Sequence, residues 1–390
     1  MKNSKYTIIF IIIFLDLFGA GLILPLLPFY AEKFTASALT ITMLVSAYSL
    51  MQFVFAPILG HLSDKHGRRP ILIISQIGSA IGYLMLAFAS SIYILFASRI
   101  IDGITGGNIS TAQAYISDVS TKKDRKKAFG IVGAAFGLGF ILGPTIGGLL
   151  GHINIILPGI FAALAALSAS LLVFFKLPET RRHKQSDPFK FKEMFTVLKN
   201  DFMFSIFATA FLFSMGFASM QSVLALYTLD QLKFQERENG LLFGYIGLVA
   251  VIMQLVVLRK MEKKFNDSQL LKISISASIA GFIILSLLPF ISLEQHRFIT
   301  ELYIKSLLLS AGITLIAFSS GIFNPVIRAV LTKNVKNYGK YLGILSSYIS
   351  LTMIISPLIA GFLFDHATVY MPFLVSCIFG LLALLITKRN

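Results

Sequence analysis

Gly60-His61-Leu62-Ser63-Asp64-Lys65-His66-Gly67-Arg68-Arg69-Pro70 interrupts two long apolar stretches near the start of the chain. Charged groups at this density do not sit in hydrocarbon, so the run must form a tight turn at a water face. Gly60 and Gly67 let the backbone bend. Arg68 and Arg69 hold the turn on the cytoplasmic side, because Lys and Arg gather in the inner loops of membrane proteins.

Composition agrees with a chain whose main solvent is lipid. Of 390 residues, 56% are hydrophobic and only 13% charged, with a mean hydropathy of +0.80. Soluble domains carry roughly 25% charged residues. The formal charge of +16 does not signal nucleic acid, since the Lys and Arg residues cluster in alternate loops. Cys377 is the single cysteine, which excludes an internal disulfide and a cysteine metal site. The six histidines are scattered, and no two have metal-ligand spacing on one helix, so no metal is expected. No Walker A pattern and no nucleophile–base arrangement occur, so neither ATP, a cofactor nor enzymatic catalysis is expected. Lys2 and Lys5 before an apolar run imitate a signal peptide, but the run continues to Phe29 and reads as an uncleaved first helix.

A bilayer core of roughly 30 Å needs about 20 apolar residues per helix. Twelve segments meet that test: 7–30, 39–60, 71–90, 92–116, 127–150, 153–175, 203–227, 239–258, 271–291, 301–329, 339–363 and 368–387. The polar, basic stretch 176–202, with Arg181, Arg182, His183 and Lys184, divides them into six and six. The expected organisation is an N-terminal six-helix bundle over 1–175, a cytoplasmic linker over 176–202 and a C-terminal bundle over 203–390. With the N-terminus inside, most of the 34 Lys and Arg residues fall in inner segments. The outer loops hold Lys33, Lys233, Arg237 and Arg297. This bias places both termini in the cytoplasm of a multi-pass protein of the cell (plasma or inner) membrane.

The halves repeat each other. Gly130, Pro144 and Gly148 recur at the same offsets as Gly343, Pro357 and Gly361, so helix 5 corresponds to helix 11. Gly106 pairs likewise with Gly321, and Ala114 with Ala329. Two repeated six-helix bundles with pseudo-two-fold symmetry are what an alternating-access transporter needs, because its halves rock about a site between them.

Gly60, Asp64, Gly67, Arg68 and Arg69 match the loop between the second and third helices of the major facilitator superfamily, and the chain resembles that family. In the family this loop, with Asp118 at the inner end of helix 4, forms a cytoplasmic network that locks the outward-facing state. Gly139, Gly143, Pro144, Gly147 and Gly148 resemble the helix-5 motif of its drug:proton antiporter branch. There the motif packs helix 5 against a helix of the other half and is associated with export. Arg99 and Gly103 match the helix-4 motif, in which the Arg is linked to proton coupling. The stretch from Leu15 to Pro28, the turn after helix 2 and Tyr115-Ile116-Ser117-Asp118 resemble the tetracycline exporters across nearly the whole N-half. One departure bears on the substrate. Those exporters carry acids in helices 3 and 9 and a His in helix 8. Here Gly82 stands at the helix-3 position, helix 9 offers only serines and helix 8 has no His.

Asp16 lies roughly 13 Å into helix 1, near the midplane. Arg99 and Asp102, three residues apart, share a face of helix 4. Arg99 stays protonated. Its role would be to bias a neighbouring carboxylate, since burial favours the neutral acid and a guanidinium favours the anion. Asp16, Arg99 and Asp102 are therefore the candidate proton-coupling residues, and either acid can be the carrier. A static Arg99–Asp102 staple is the other reading. Gln52, Asn108, Gln113, Gln221, Tyr245, Gln254, Asn324, Arg328 and Tyr348 are candidate cavity residues. Arg328 either meets an anion or snorkels to water.

The sequence thus leads to an all-α integral membrane protein of the major facilitator fold, expected to be monomeric. Its expected activity is proton-coupled efflux of a lipophilic, drug-like or small organic solute. The alternatives are an importer or exchanger of a small metabolite or organic anion, and a non-transporting membrane sensor. The expected partners are a small-molecule substrate, protons and the bilayer.

Overall fold

The structure is a computed structural model that describes residues 2–120, 125–180, 197, 200–291, 298–335 and 338–387. Most of the 176–202 linker, including Arg181, Arg182, His183 and Lys184, lies outside the described residues.

A backbone in lipid has no water to bond, so each apolar run satisfies its own N–H and C=O groups as helix. The described elements are α1 (Lys2–Ile23), α2 (Leu27–Glu32), α3 (Ala38–His66), α4 (Arg68–Ala87), α5 (Ile92–Thr105), α6 (Asn108–Val119), α7 (Arg125–Ile153) and α8 (Ile156–Lys176). They continue with α9 (Asp201–Leu232), α10 (Glu236–Ile252), α11 (Leu258–Met261), α12 (Asp267–Leu287), α13 (Phe298–Lys333), α14 (Tyr338–His366) and α15 (Met371–Thr387).

The interruptions have local causes. Pro25 and Pro28 lack N–H donors, and the chain tightens through a 3₁₀ turn between α1 and α2 without leaving the span Tyr6–Glu32. Gly67, between α3 and α4, has φ +101°. A side chain there is both strained and blocked, since a Cβ would strike the carboxylate of Glu179. α12 opens with a capping box, in which Asn266 and Gln269 bond each other's backbone N–H at 2.9 and 3.0 Å.

Ten helices among the described residues are long and apolar enough to cross a membrane, and Met371–Thr387 is a shorter apolar helix. The expected continuous helix over 92–116 is corrected. It is two pieces, α5 of 14 residues and α6 of 12, broken at Gly106 and Gly107. With neither residue carrying a Cβ, the chain steps out of register there, and α6 starts afresh at Asn108.

The chain forms two compact units, one of residues 1–36, 47–189 and 235–244, the other of 37–46, 190–234 and 245–390. In the first, α1 packs on α7 and α8, and α4 on α8 and α5. In the second, α9 packs on α14 and α15, and α12 on α15 and α13. The pairings correspond helix for helix, so the sequence repeat is also a packing repeat. Ile9, Ile12, Ile13, Leu72, Tyr115 and Val173 fill the first core. Phe207, Phe213, Ile275, Phe323, Ile327 and Leu345 are among those that fill the second.

Each unit also holds the start of one helix from the opposite half of the sequence. In the first, Gly148 meets α10: a Cβ on it would lie 2.5 Å from the Glu236 carbonyl and 2.6 Å from Gly240 Cα. In the second, a Cβ on Gly361 would lie 2.8 Å from Leu39 Cα and strike the Thr42 hydroxyl. Asp365, one turn beyond, accepts the Ala38 and Leu39 N–H groups at 2.9 and 2.8 Å. It thereby satisfies two of the orphan donors at the start of α3.

Candidate functional site

The break in helix 4 places α6's first residue beside α1. Asn108 Nδ2 donates to Asp16 Oδ1 at 2.8 Å, and Gln76 Nε2 of α4 donates to the same oxygen at 3.2 Å. Among the described residues, Asp16 makes no ion pair, so neutral amides alone hold it. The amide oxygens Asn108 Oδ1 and Gln76 Oε1 are buried and accept no hydrogen bond. An amide that can turn over offers its oxygen to a protonated acid as readily as its N–H₂ to a carboxylate.

Asp102 sits one turn before the break and Arg99 two turns before it. They are almost fully buried and paired at 3.3 Å. The guanidinium lies 5.9 Å from the Tyr83 ring centroid. Gly82, the position of the departure in helix 3, explains the fit: a Cβ there would lie 3.0 Å from Asp102 Cβ. Asp102 thus fills the space that a side chain at 82 would enter. Gly103 lets α5 reach α3, since a Cβ on it would lie 2.5 Å from the Tyr48 carbonyl oxygen. Gln52 of α3 binds the broken segment, donating to the Gly106 carbonyl at 3.0 Å.

The turn between α3 and α4 forms a second cluster. Arg68 meets Asp64 at 2.5 Å, Asp118 at 3.3 Å and Ser63 Oγ at 2.5 Å. Glu179 accepts the Arg68 and Arg69 N–H groups at 2.9 and 3.1 Å. Arg69 donates to the Phe174 carbonyl and lies 5.3 Å from that ring's centroid. Gly60 joins through its backbone, its carbonyl accepting from Ser63 Oγ at 2.7 Å, with open space where a Cβ would go.

On α7, Gly139, Gly143 and Gly147 recur every fourth residue and face α1: a Cβ on Gly143 would lie 2.8 Å from Gly21 Cα. Gly148 and the Pro144 carbonyl face α10 instead. The small residues of this motif therefore serve α1 as well as a helix of the other half.

The remaining candidates are dispersed. Gln113 and Gln221 are half-buried, while Gln254, Asn324 and Arg328 are exposed. Tyr245 shares a 2.7 Å hydrogen bond with Thr314. Tyr348 packs its ring 5.4 Å from Phe207 and 6.4 Å from Phe211. Sequence reasoning missed Gln76, Thr314, Glu179 and the half-buried Glu301–Lys305 pair at 2.7 Å. The i,i+4 spacing of Glu301 and Lys305 was a usable signal. Nothing local marks Gln76 or Glu179, whose partners come from other helices.

Comparison with known proteins gives a match to the family described as Major Facilitator Superfamily over residues 9–299 and 298–389. The chain is 32% identical over 379 residues to the class H tetracycline resistance protein of Pasteurella multocida, covering 94% of this chain and 91% of the relative. It is 28% identical over 384 residues to multidrug resistance protein 2 of Bacillus subtilis (strain 168), covering 95% and 92%. Among solved structures, a mutant form of the nucleoside transporter NupG superposes with a TM-score of 0.81 at 14% identity, covering 99% of each chain, a likeness of fold.

Proposed function

Because the chain belongs to the major facilitator superfamily, and is accordingly a multi-pass membrane transporter rather than an enzyme, we propose that it expels a lipophilic, drug-like or small organic solute in exchange for protons. Asp16 is the proton carrier in this reading. The observation that carries it is the Asp16 environment: a carboxylate deep in a membrane-spanning helix, held by two neutral amides and no cation. An acid with no cation at that depth is favoured in its neutral form unless it faces a water-filled cavity, and either setting suits a proton carrier. Asp102 is matched to Arg99 within α5, which leaves Asp16 as the acid without a cation. The resistance-protein relatives support export as the direction. The alternation of basic segments supports both termini in the cytoplasm, and the Arg68 cluster then lies on the inner side as a conformational switch. Nothing in the transport cycle requires more than one copy, and a monomer is the working unit in this reading.

The test is a reconstituted vesicle. With protein inserted and a lipophilic dye on both sides, a pH step must drive the dye toward the acidic compartment, and an uncoupler must abolish the movement. Dye movement that ignores the pH step refutes the reading.

A further inference from the structure

Arg328 has no task in that cycle. It lies within the span Thr300–Lys333, five residues before the end of α13, or about 7.5 Å along the axis. Other cations have matched partners: Arg99 with Asp102, Arg68 with Asp64, Lys305 with Glu301 and Lys333 with Asp267. Among the described residues, Arg328 makes neither an ion pair nor a hydrogen bond. The residue is exposed.

The membrane-buried stretches of the neighbouring helices carry no carboxylate to pair with it. No Asp or Glu occurs in α13 between Glu301 and Lys333, in α9 between Asp201 and Asp230, in α10 and α11 between Glu238 and Glu262, or in α14 before Asp365. They hold neutral donors instead. Asn324, one turn earlier on the same face, is exposed and gives the Ser320 carbonyl only one of its two amide hydrogens, at 3.2 Å. α10 meets α13 tightly at Gly321, where a Cβ would lie 2.7 Å from the Ala250 carbonyl oxygen and 2.9 Å from Met253 Cβ. The next residue, Gln254, is exposed within the π-turn Met253–Val257, an irregularity common at functional sites. Tyr348 packs on the same core as Phe323 and Ile327, the neighbours of Asn324 and Arg328.

We propose that Arg328, with Asn324 and Gln254, forms a subsite for the anionic group of an amphiphilic aromatic solute, a carboxylate, sulfonate or phenolate, with Tyr348 beside its apolar body. A guanidinium presents a planar fork that pairs two-pronged with such groups, and a primary amide adds a neutral N–H donor. The inference rests on the transport reading and narrows its substrate to organic acids and zwitterions.

The test uses the full chain in phosphatidylcholine nanodiscs, without a pH gradient. The probes are rhodamine 19 and its ethyl ester, rhodamine 6G, which differ only in the carboxylate. Wild type should bind rhodamine 19 more tightly. R328Q and R328K should each weaken rhodamine 19 about tenfold (~1.4 kcal/mol) and leave rhodamine 6G within about twofold. R328K decides the matter, because lysine also snorkels but lacks the fork; it carries the test alone if R328Q fails to insert. Wild type without a preference, R328K binding rhodamine 19 like wild type, or both dyes weakened alike overturns the subsite. Displacement of rhodamine 19 by added phosphatidylglycerol in wild type but not R328K assigns the guanidinium to a lipid headgroup and overturns it too. Proton-driven transport with no discrimination between the dyes sinks the subsite alone. Discrimination without proton-driven transport sinks the transport reading alone.

Discussion

Asp16→Asn and Asp102→Asn change the same atoms and should fail in opposite ways. Asn at 16 keeps an oxygen to accept from Asn108 and Gln76, and its N–H₂ can meet the amide oxygens that now lack partners. Net hydrogen-bond changes are ~0.5–1.5 kcal/mol, so stability should move by about 1 kcal/mol or less. Asn at 102 instead leaves the buried Arg99 guanidinium uncompensated, which costs ~3–5 kcal/mol. Transport separates them further. One pH unit supplies ~1.36 kcal/mol per proton, so one proton exchanged for one neutral solute sustains about a tenfold gradient. In vesicles with a one-unit step, wild type should approach that ratio. Asp16→Asn, folded and inserted, should stay at one. The assays are thermal unfolding in detergent and steady-state accumulation of a fluorescent substrate. An Asp16→Asn protein that still concentrates the dye tenfold refutes the assignment. So does one that unfolds as readily as Asp102→Asn, because its amide-only environment would then be wrong.

Gly103→Ala should cost ~1–3 kcal/mol, since its Cβ would sit 2.5 Å from the Tyr48 carbonyl; Gly130→Ala, with nothing within 4 Å, should be neutral or stabilise by up to ~1 kcal/mol. Thermal midpoints of the two check this. Asp365→Ala removes the cap on α3, worth ~1 kcal/mol, and hydrogen exchange at Ala38 and Leu39 should quicken about fivefold. Gly67→Ala should lower the midpoint through a strained φ worth ~1–3 kcal/mol, and adding Glu179→Ala should not restore it, because the backbone strain persists when the blocking carboxylate is gone.

The fold was legible because a bilayer turns hydropathy into length, and length into helix. The helix-5 and helix-11 offsets from Gly130 and Gly343 also carried the packing repeat. The Gly106–Gly107 break was not legible. Paired glycines in an apolar run read equally as close helix packing, whereas the structure opens the backbone there and Gln52 takes up the Gly106 carbonyl. Asp16 and Asn108 were each singled out for their own chemistry, but nothing in the sequence says that they touch. Gln76, fully buried in α4, drew no attention because an amide in a polar-tolerant helix has no distinctive spacing. Glu179 falls in the polar linker by sequence, yet its two oxygens close the Gly67 turn by accepting the Arg68 and Arg69 N–H groups.

Splitting helix 4 also creates a second N-terminus inside the bilayer. Peptide dipoles aligned along α6 leave about half a positive charge at its first turn, and Asn108 brings that turn to Asp16. The backbone therefore supplies a counter-field that no lysine or arginine provides. The field lasts only while the two half-helices stay out of line, so a bend that straightened them would erase it. The electrostatic surroundings of Asp16 are thus set in part by a pair of glycines.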